Sequence, residues 1–409
     1  MHEKMTDQNG VIYSSLEAET QAPWSASSWN DGDDLITAKD AAPWDILNYE
    51  NCGMTTGAYL AALSYKWRVT KDEETYARAK TAFRGLMHVF EIGTHLESGF
   101  FPKIYGGRLS HETSSDQYLY AIKGMRAWLP VAPPEDVAAI RRILPAMLDF
   151  WMRREYRYAY FGVENMPWPL VRFPSILYAA ASTSGDSKYD EEAERINSEH
   201  KVYLAPGESQ ILLRAQGQAE FSEYEMQQGC RYRGIFIAEC TAMDIMQLDE
   251  CLLHSERYRE HWLRSMELSW REGSLSLTDD GLAYGCTLYD PISGQSGPTP
   301  PGWLYEGPDP LGWSFLRWTG GFLVSRSTML ARVGVHVAKW LPELNVTPTV
   351  LQILHKVDLG VMRHCLDPDG RQLLPRHQYM TRWVDADAIV NWLWAYWQGR
   401  WEGLWPEEE

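Results

Sequence analysis

The feature that most constrains this chain is a recurring pair of helical patterns. A run of small and apolar residues comes first, and an amphipathic run that opens on acids follows it. Asn48 to Thr70 (NYENCGMTTGAYLAALSYKWRVT) carries Gly57, Ala58, Ala61 and Ala62 and is apolar on more than one side, as a helix buried between neighbours must be. The next stretch, KDEETYARAKTAFRGLMHVFE, sets Asp72 at a helix N-cap and acids in the first turn. Tyr76, Ala79, Phe83, Leu86, Met87 and Phe90 then make one apolar stripe, so the second helix packs on one side only. The pair reads as an inner helix followed by an outer one.

The same order returns along the chain. Asp116 to Leu129 is small and apolar, and Pro133-Pro134-Glu135 opens an amphipathic run to about Arg157. Pro169 to Thr183 precedes SGDSKYDEEAERI, in which Asp186 is the expected cap. Arg231 to Leu253 precedes Ser255 to Trp270, and Trp313 to Val333 precedes Thr347 to Leu366. Asp385 to Gly399, with Trp392, Trp394 and Trp397, supplies a sixth inner helix but leaves no room for a full outer partner. Inner helices therefore start near residues 50, 116, 170, 231, 313 and 385, a repeat of roughly sixty to eighty residues, longer than the common solenoid periods. Six helical hairpins closed on themselves predict an all-α fold, an (α/α)6 toroid (six-hairpin barrel) with long rim loops and minor β content. Residues 1–47 read as an N-terminal arm or cap, and 48–409 as the toroid catalytic domain. The Gly- and Pro-rich run Gly281 to Trp313 and the extended run Lys201 to Tyr224 read as loops over the rim.

Composition narrows the partners. A net charge of −17 argues against a nucleic-acid surface, though a local arginine pocket in such a chain can still hold an anionic small ligand. No stretch has the uninterrupted apolar length of a membrane span, and MHEKMTDQNG lacks a signal peptide's apolar core. Cys52, Cys230, Cys240, Cys251, Cys286 and Cys365 form no CxxC pair and no metal-ligand spacing, so free thiols in a reducing, cytoplasmic setting are expected; an exported form already trimmed of its signal is the alternative. The unusual feature is aromatic: 19 Trp and 22 Tyr supply large apolar faces with polar handles, suited to stacking on sugar rings.

In a toroid the inner-helix N-termini converge on one face. That face would collect Tyr49, Glu50 and Asn51; His111, Glu112, Asp116 and Gln117; Trp168 and Arg172; Arg231, Tyr232 and Arg233; Trp313, Arg317 and Trp318; and Trp383, Asp385 and Asp387. Polar density is greatest in YGGRLSHETSSDQYLYAIKGM, residues 105–125, where Ser114 or Ser115 is the expected N-cap of a buried helix. Aromatic faces hold a ring, arginine pairs bidentately with a carboxylate, and Asp or Glu moves protons. Each member also has an ordinary structural role: Asp116 and Asp385 as helix caps, Glu50 as first-turn acid, Arg231 and Arg233 as partners of Glu223 or Glu225. Other chemistries lack their motifs. His111-Glu112 is not HExxH, since position 115 is serine, and there is no GxGxxG, Walker loop or GxSxG elbow. His254 and His261 lack a third ligand, so no metal and no cofactor is expected.

With its inner-helix, TGD-like turn, outer-helix units (Val69 to Ala79, Thr183 to Ala193) and its HETSSDQ loop, the chain resembles the six-hairpin toroid glycosidases, in particular the unsaturated glucuronyl hydrolases and related glucuronidases. The likeness spans about residues 48–400. It implies a glycoside hydrolase that removes a terminal glucuronic or unsaturated glucuronic acid from an anionic oligosaccharide by carboxyl acid/base catalysis. Asp116 maps onto the inner-helix catalytic aspartate; Glu50, Glu112 and Asp385 compete for the second carboxylate. On this reading His111 polarises the site and Arg172, Arg231 and Arg233 clamp the substrate's carboxylate. Three alternatives remain open: a polysaccharide lyase using Tyr232 or His111, a sugar 2-epimerase-like isomerase with histidine bases, and a non-catalytic glycan-binding toroid. The sequence leaves the oligomeric state unspecified.

Overall fold

The computed structural model describes residues 2–29, 41–160, 163–168, 170–200, 248–274, 277, 324–357 and 383–406, with the backbone of short strands at 233–235, 287–290 and 295–298. Among the described residues four hairpin units have both helices, and a fifth has its outer helix and the end of its inner one, as the patterning requires. Inner helix α3 (Cys52–Thr70) follows α1 (His2–Met5) and α2 (Pro43–Tyr49) and leads to outer helix α4 (Glu73–Thr94). Then come α5 (Ser115–Trp128) with α6 (Pro134–Arg153), and α7 (Phe173–Ser184) with α8 (Lys188–His200). Residues 248–254 are helical and precede α9 (Arg259–Ser274); α10 (Val324–Trp340) pairs with α11 (Thr347–Lys356), and α12 (Ala386–Trp401) is the last inner helix.

Burial separates the two classes of helix. Every residue of α3 from Cys52 to Ser64 is buried, whereas α4 buries one stripe that includes Ala79, Phe83, Leu86 and Phe90. Asp72 caps α4 as its position demands, its carboxylate accepting from the N–H groups of Glu74 and Thr75 at 3.3 and 3.1 Å. The inner helices form a ring: α7 packs on α5, α5 on α3, α3 on α12, and α12 on α10. The last inner helix thus meets the first. Small residues make that closeness possible. A Cβ on Gly57 would stand 2.3 Å from the Tyr120 carbonyl oxygen, and one on Gly124 would stand 2.4 Å from that of Gly57. At this crossing α3 and α5 touch backbone to backbone.

The N-terminal segment fastens the seam where α12 meets α3. Strand β1 (Ser15–Glu17) pairs antiparallel with β7 (Trp383–Asp385), Ser15 opposite Asp385. The N–H of Ile12 donates to Thr56 Oγ1 at 2.9 Å, and Val11, Ile12 and Leu16 are buried in the same core as the ring helices. Among the described residues the other strands are a hairpin, β2 (Arg157–Tyr160) with β3 (Val163–Pro167), and an antiparallel sheet of β4 (Arg233–Ile235), β5 (Thr287–Asp290) and β6 (Gln295–Pro298).

Three local expectations need correcting. The first inner helix starts at Cys52, because Pro43–Tyr49 forms its own short helix and the chain turns at Glu50 and Asn51. Ser114 holds the cap position of α5 in extended conformation, yet its hydroxyl makes no capping bond. The fifth inner helix runs on to Trp340, past the Val333 expected from the pattern, because Val335, Val337 and Ala338 continue the buried face. The expected start of that helix at Trp313, the fourth inner helix up to residue 247, and the loop 201–224 lie outside the described residues.

Candidate active site

The N-terminal ends of α3, α5, α7 and α12 share one face of the ring, and a polar cluster is built there around Glu50. Glu50 sits at the corner between α2 and α3. Its Oε1 accepts from Lys103 Nζ at 2.6 Å and from the Tyr160 hydroxyl at 2.9 Å, and its Oε2 accepts from the Tyr105 hydroxyl at 2.7 Å. Its main-chain oxygen accepts from Lys103 Nζ at 2.6 Å and Gln117 Nε2 at 3.0 Å. Four segments therefore meet on one residue: the α2–α3 corner, the loop from α4 to α5, α5 itself, and β2.

Lys103 is fully buried. An ammonium taken from water to that depth needs both a counter-charge and hydrogen bonds, and Glu50 supplies them. The Lys103 Nζ also lies 5.1 Å from the centre of the Tyr160 ring. Burial, then the negative charge of Glu50, pushes the Tyr105 and Tyr160 hydroxyls far above the ordinary phenol range. Both stay neutral donors. Burial likewise lifts the Cys52 thiol to about 12, so that neighbour is not a nucleophile.

Asp116 differs from Glu50 in one respect. It lies in the first turn of α5, where the helix end favours an acid, and its Oδ1 is buried with no hydrogen-bond partner among the described residues. Its charge is felt at Tyr160. Arg172, at the start of α7, donates to the Oγ of Ser115, the residue before Asp116, at 3.1 Å. Trp168 packs against Tyr160 with ring centres 5.3 Å apart, so an aromatic wall stands beside the carboxylates. Glu112 is half-buried, its Oε2 3.4 Å from the Tyr105 hydroxyl, and His111 next to it is exposed.

Other expected members are turned elsewhere. The Tyr49 hydroxyl donates to Asp7 Oδ2 at 3.3 Å, which commits it to the N-terminal segment. Asn51 Nδ2 donates to Asp387 Oδ2 at 3.4 Å, and Asp385 caps α12 by accepting from the Asp387 N–H at 2.8 Å. Arg233 begins β4 and Trp383 begins β7, where only the backbone is described. Arg231, Tyr232, Trp313, Arg317 and Trp318 lie outside the described residues. The sequence pattern by itself marks no role for Lys103, Tyr105 or Tyr160. The signal for the first was present: a lysine inside FFPKIY is a charge in an apolar run and has to be paired once buried.

The opposite end of the ring holds a cavity of about 320 Å³, lined by Tyr178, Ser182, Asp190, Glu194, His254 and Ser255 among others. There Glu194 already accepts from the Tyr178 hydroxyl at 2.6 Å and from Arg257 at 3.2 Å. No group of three His, Cys, Asp or Glu residues among those described is placed to hold a metal ion. No described helix is long and apolar enough to cross a membrane.

No family model matches the sequence, and no curated protein sequence does so either. Solved structures do match over nearly the whole chain. A cellobiose 2-epimerase from Spirochaeta thermophila aligns over 97% of this chain and 92% of its own, with a TM-score of 0.51 and 12% identity. A D-mannose isomerase aligns over 97% and 93%, with a TM-score of 0.54 and 9% identity. An alpha-amylase from Clostridium perfringens aligns over 97% and 95%, with a TM-score of 0.51 and 11% identity. The fold is the (α/α)6 toroid. The Glu50–Asp116 cluster stands at the mouth of that toroid, beside the starts of α3, α5, α7 and α12.

Proposed function

We propose that this toroid is a carbohydrate-processing enzyme of the epimerase or isomerase kind, with its substrate at the inner-helix mouth. The observation that carries the reading is the contrast between two neighbouring carboxylates. Glu50 has donors on both oxygens and is occupied as a scaffold. Asp116 keeps a buried oxygen with no donor among the described residues, beside an aromatic wall of Tyr160 and Trp168. A sugar hydroxyl is the natural donor to such an oxygen, and a proton-transfer group must have such a vacancy. Similar structures that include cellobiose 2-epimerases, another sugar epimerase and a D-mannose isomerase support the isomerising reading. In that chemistry Asp116 moves a proton on a substrate carbon or oxygen, the aromatic wall stacks on the ring or its opened chain, and Arg172 orients a substrate oxygen.

Hydrolysis is the second reading. It is favoured by Glu112, a second carboxylate on the same loop, and by the amylase among the similar structures. Removal of a uronic acid is the specific form of it, with Arg172 as the described residue able to meet a carboxylate. One experiment separates the two. Aldoses, neutral disaccharides and aryl or unsaturated uronides are incubated with wild type and Asp116→Asn, and products are followed by mass. Isomerisation yields a product of unchanged mass and hydrolysis one heavier by a water in sum. Either activity should fall by about 10²- to 10⁴-fold in Asp116→Asn, the usual worth of a positioned acid/base. Equal activity of the two proteins would remove Asp116 from the chemistry.

A further inference from the structure

The ammonium of Lys103 is buried inside the mouth cluster and is directed at Glu50 and the Tyr160 ring. Its Nζ holds both the main-chain oxygen and the Oε1 of Glu50, each at 2.6 Å. Its own main chain ties down the loop that carries the mouth's acids. The Lys103 N–H donates to the Glu112 carbonyl at 2.9 Å, and the Lys103 carbonyl accepts from the Ser110 hydroxyl at 2.7 Å. Thr113, three residues before Asp116, is pinned on both sides, its N–H to the Ala159 carbonyl at 3.2 Å and its hydroxyl to the Phe101 carbonyl at 2.6 Å. Through Glu50 the same ammonium reaches the Tyr160 hydroxyl, and hence the ring that Trp168 packs against.

We propose that Lys103, through its buried pair with Glu50, is a positioning residue: it sets the placement of the Tyr160 wall and of the loop that delivers Asp116. This rests on the reading that the mouth acts on a sugar. Lys103 is not a clamp for a substrate's carboxylate, because its hydrogen-bonding capacity is directed into Glu50 and it is sealed from solvent. A long, flexible lysine in an open pocket could serve an anion; this one is a strut. Removing it leaves Glu50 charged and underbonded, frees Tyr160 to swing, and shifts the loop that supports Asp116.

The test compares wild type, Lys103→Met, Lys103→Arg, Tyr160→Phe and the double variant Lys103→Met/Glu50→Gln, with kcat and KM measured separately on the best sugar substrate. Lys103→Met should lower kcat by about 10²-fold, the scale of a displacement near 1 Å at a reacting centre, while KM changes by no more than about threefold. The double variant should regain thermal stability, since the orphaned carboxylate is gone, but not kcat. Tyr160→Phe, which removes the hydroxyl that donates to Glu50, should give a smaller loss in kcat and keeps the inference open to test if Lys103→Met does not fold. Lys103→Arg should recover part of the rate. A folded Lys103→Met with wild-type kcat, or a loss confined to KM that differs between uronides and neutral sugars, would overturn the inference and make Lys103 either a bystander or a charge clamp. If wild type neither converts nor binds any sugar, the functional reading falls and this inference falls with it.

Discussion

The two ends of the α5 helix carry charges to opposite ends of the ring, and they handle them differently. At its start Asp116 has a buried oxygen with no hydrogen-bond partner among the described residues. Near its end Lys123 and Arg126 converge on Glu250, whose Oε1 lies 3.9 Å from Lys123 Nζ and 3.1 Å from Arg126 Nε. His254 meets the other Glu250 oxygen at 3.2 Å. Beside them Asp249 accepts from Trp340 Nε1 and has Lys339 Nζ at 3.9 Å. Lys339 in turn holds Glu402 at 3.0 Å. At this floor each acid is met by cations from another inner helix, so the charges tie the ring together. At the mouth, among the described residues, one acid has donors on both oxygens and its neighbour has a buried oxygen with none. Both ends suit the helix dipole, acid at the start and base at the end. An acid's function is therefore read from its remaining bonding capacity, not from its burial.

The comparison is broken first by activity. If the mouth holds the chemistry, Asp116→Asn removes most of it with little change in thermal unfolding, whereas Glu250→Gln lowers stability and leaves kcat of the folded fraction within about twofold, as expected for a group remote from the reacting centre. Glu250→Gln strands Lys123 and Arg126 at the floor, and breaking a buried pair of this kind costs about 3 kcal/mol or more, readable in chemical denaturation. A loss of kcat without loss of stability in Glu250→Gln would reverse the roles of the two ends.

A pH titration sharpens the same contrast. Burial alone would raise the Glu250 carboxyl, but the charge of Lys123, the bond from His254 and the guanidinium of Arg126 outweigh it and bring it to about 2, below its ordinary 4.5. A carboxyl depressed by folding stabilises the protein fully above its ordinary value, and that contribution is lost as pH falls from about 4.5 through about 2. Unfolding temperature should therefore drop through that window in wild type and change less there in Glu250→Gln. The smallest effect tests the shared helix itself. Gly57→Ala pushes a methyl into the backbone of α5 near Tyr120, and overpacking of this kind costs about 1–3 kcal/mol, with the mouth and floor disturbed together.

Much of this was open to reading from the chain alone, because the relevant physics is local. Asp72 caps α4 since a carboxylate two and three residues ahead of free N–H groups satisfies them wherever the chain goes. The run of Gly57, Ala58, Ala61 and Ala62 declares an inner helix because only small side chains let two helix backbones touch. The alternation of all-round apolar and one-sided runs follows from which helices have neighbours on both sides. Those features suffice for the toroid and for placing Glu50, Asp116 and Arg172 on one face.

What the sequence could not settle is which polar groups have spent their bonding capacity on each other. Tyr49 stands beside Glu50 in the chain but bonds to Asp7, while Tyr160, far along the chain, bonds to Glu50. Lys103 belongs to the mouth only because the loop from α4 to α5 folds back over the α2–α3 corner. Helix type is set by near neighbours along the chain, so it is legible there; a hydrogen bond is set by distances of about 3 Å between segments remote in sequence, and only the closed ring brings those segments within reach.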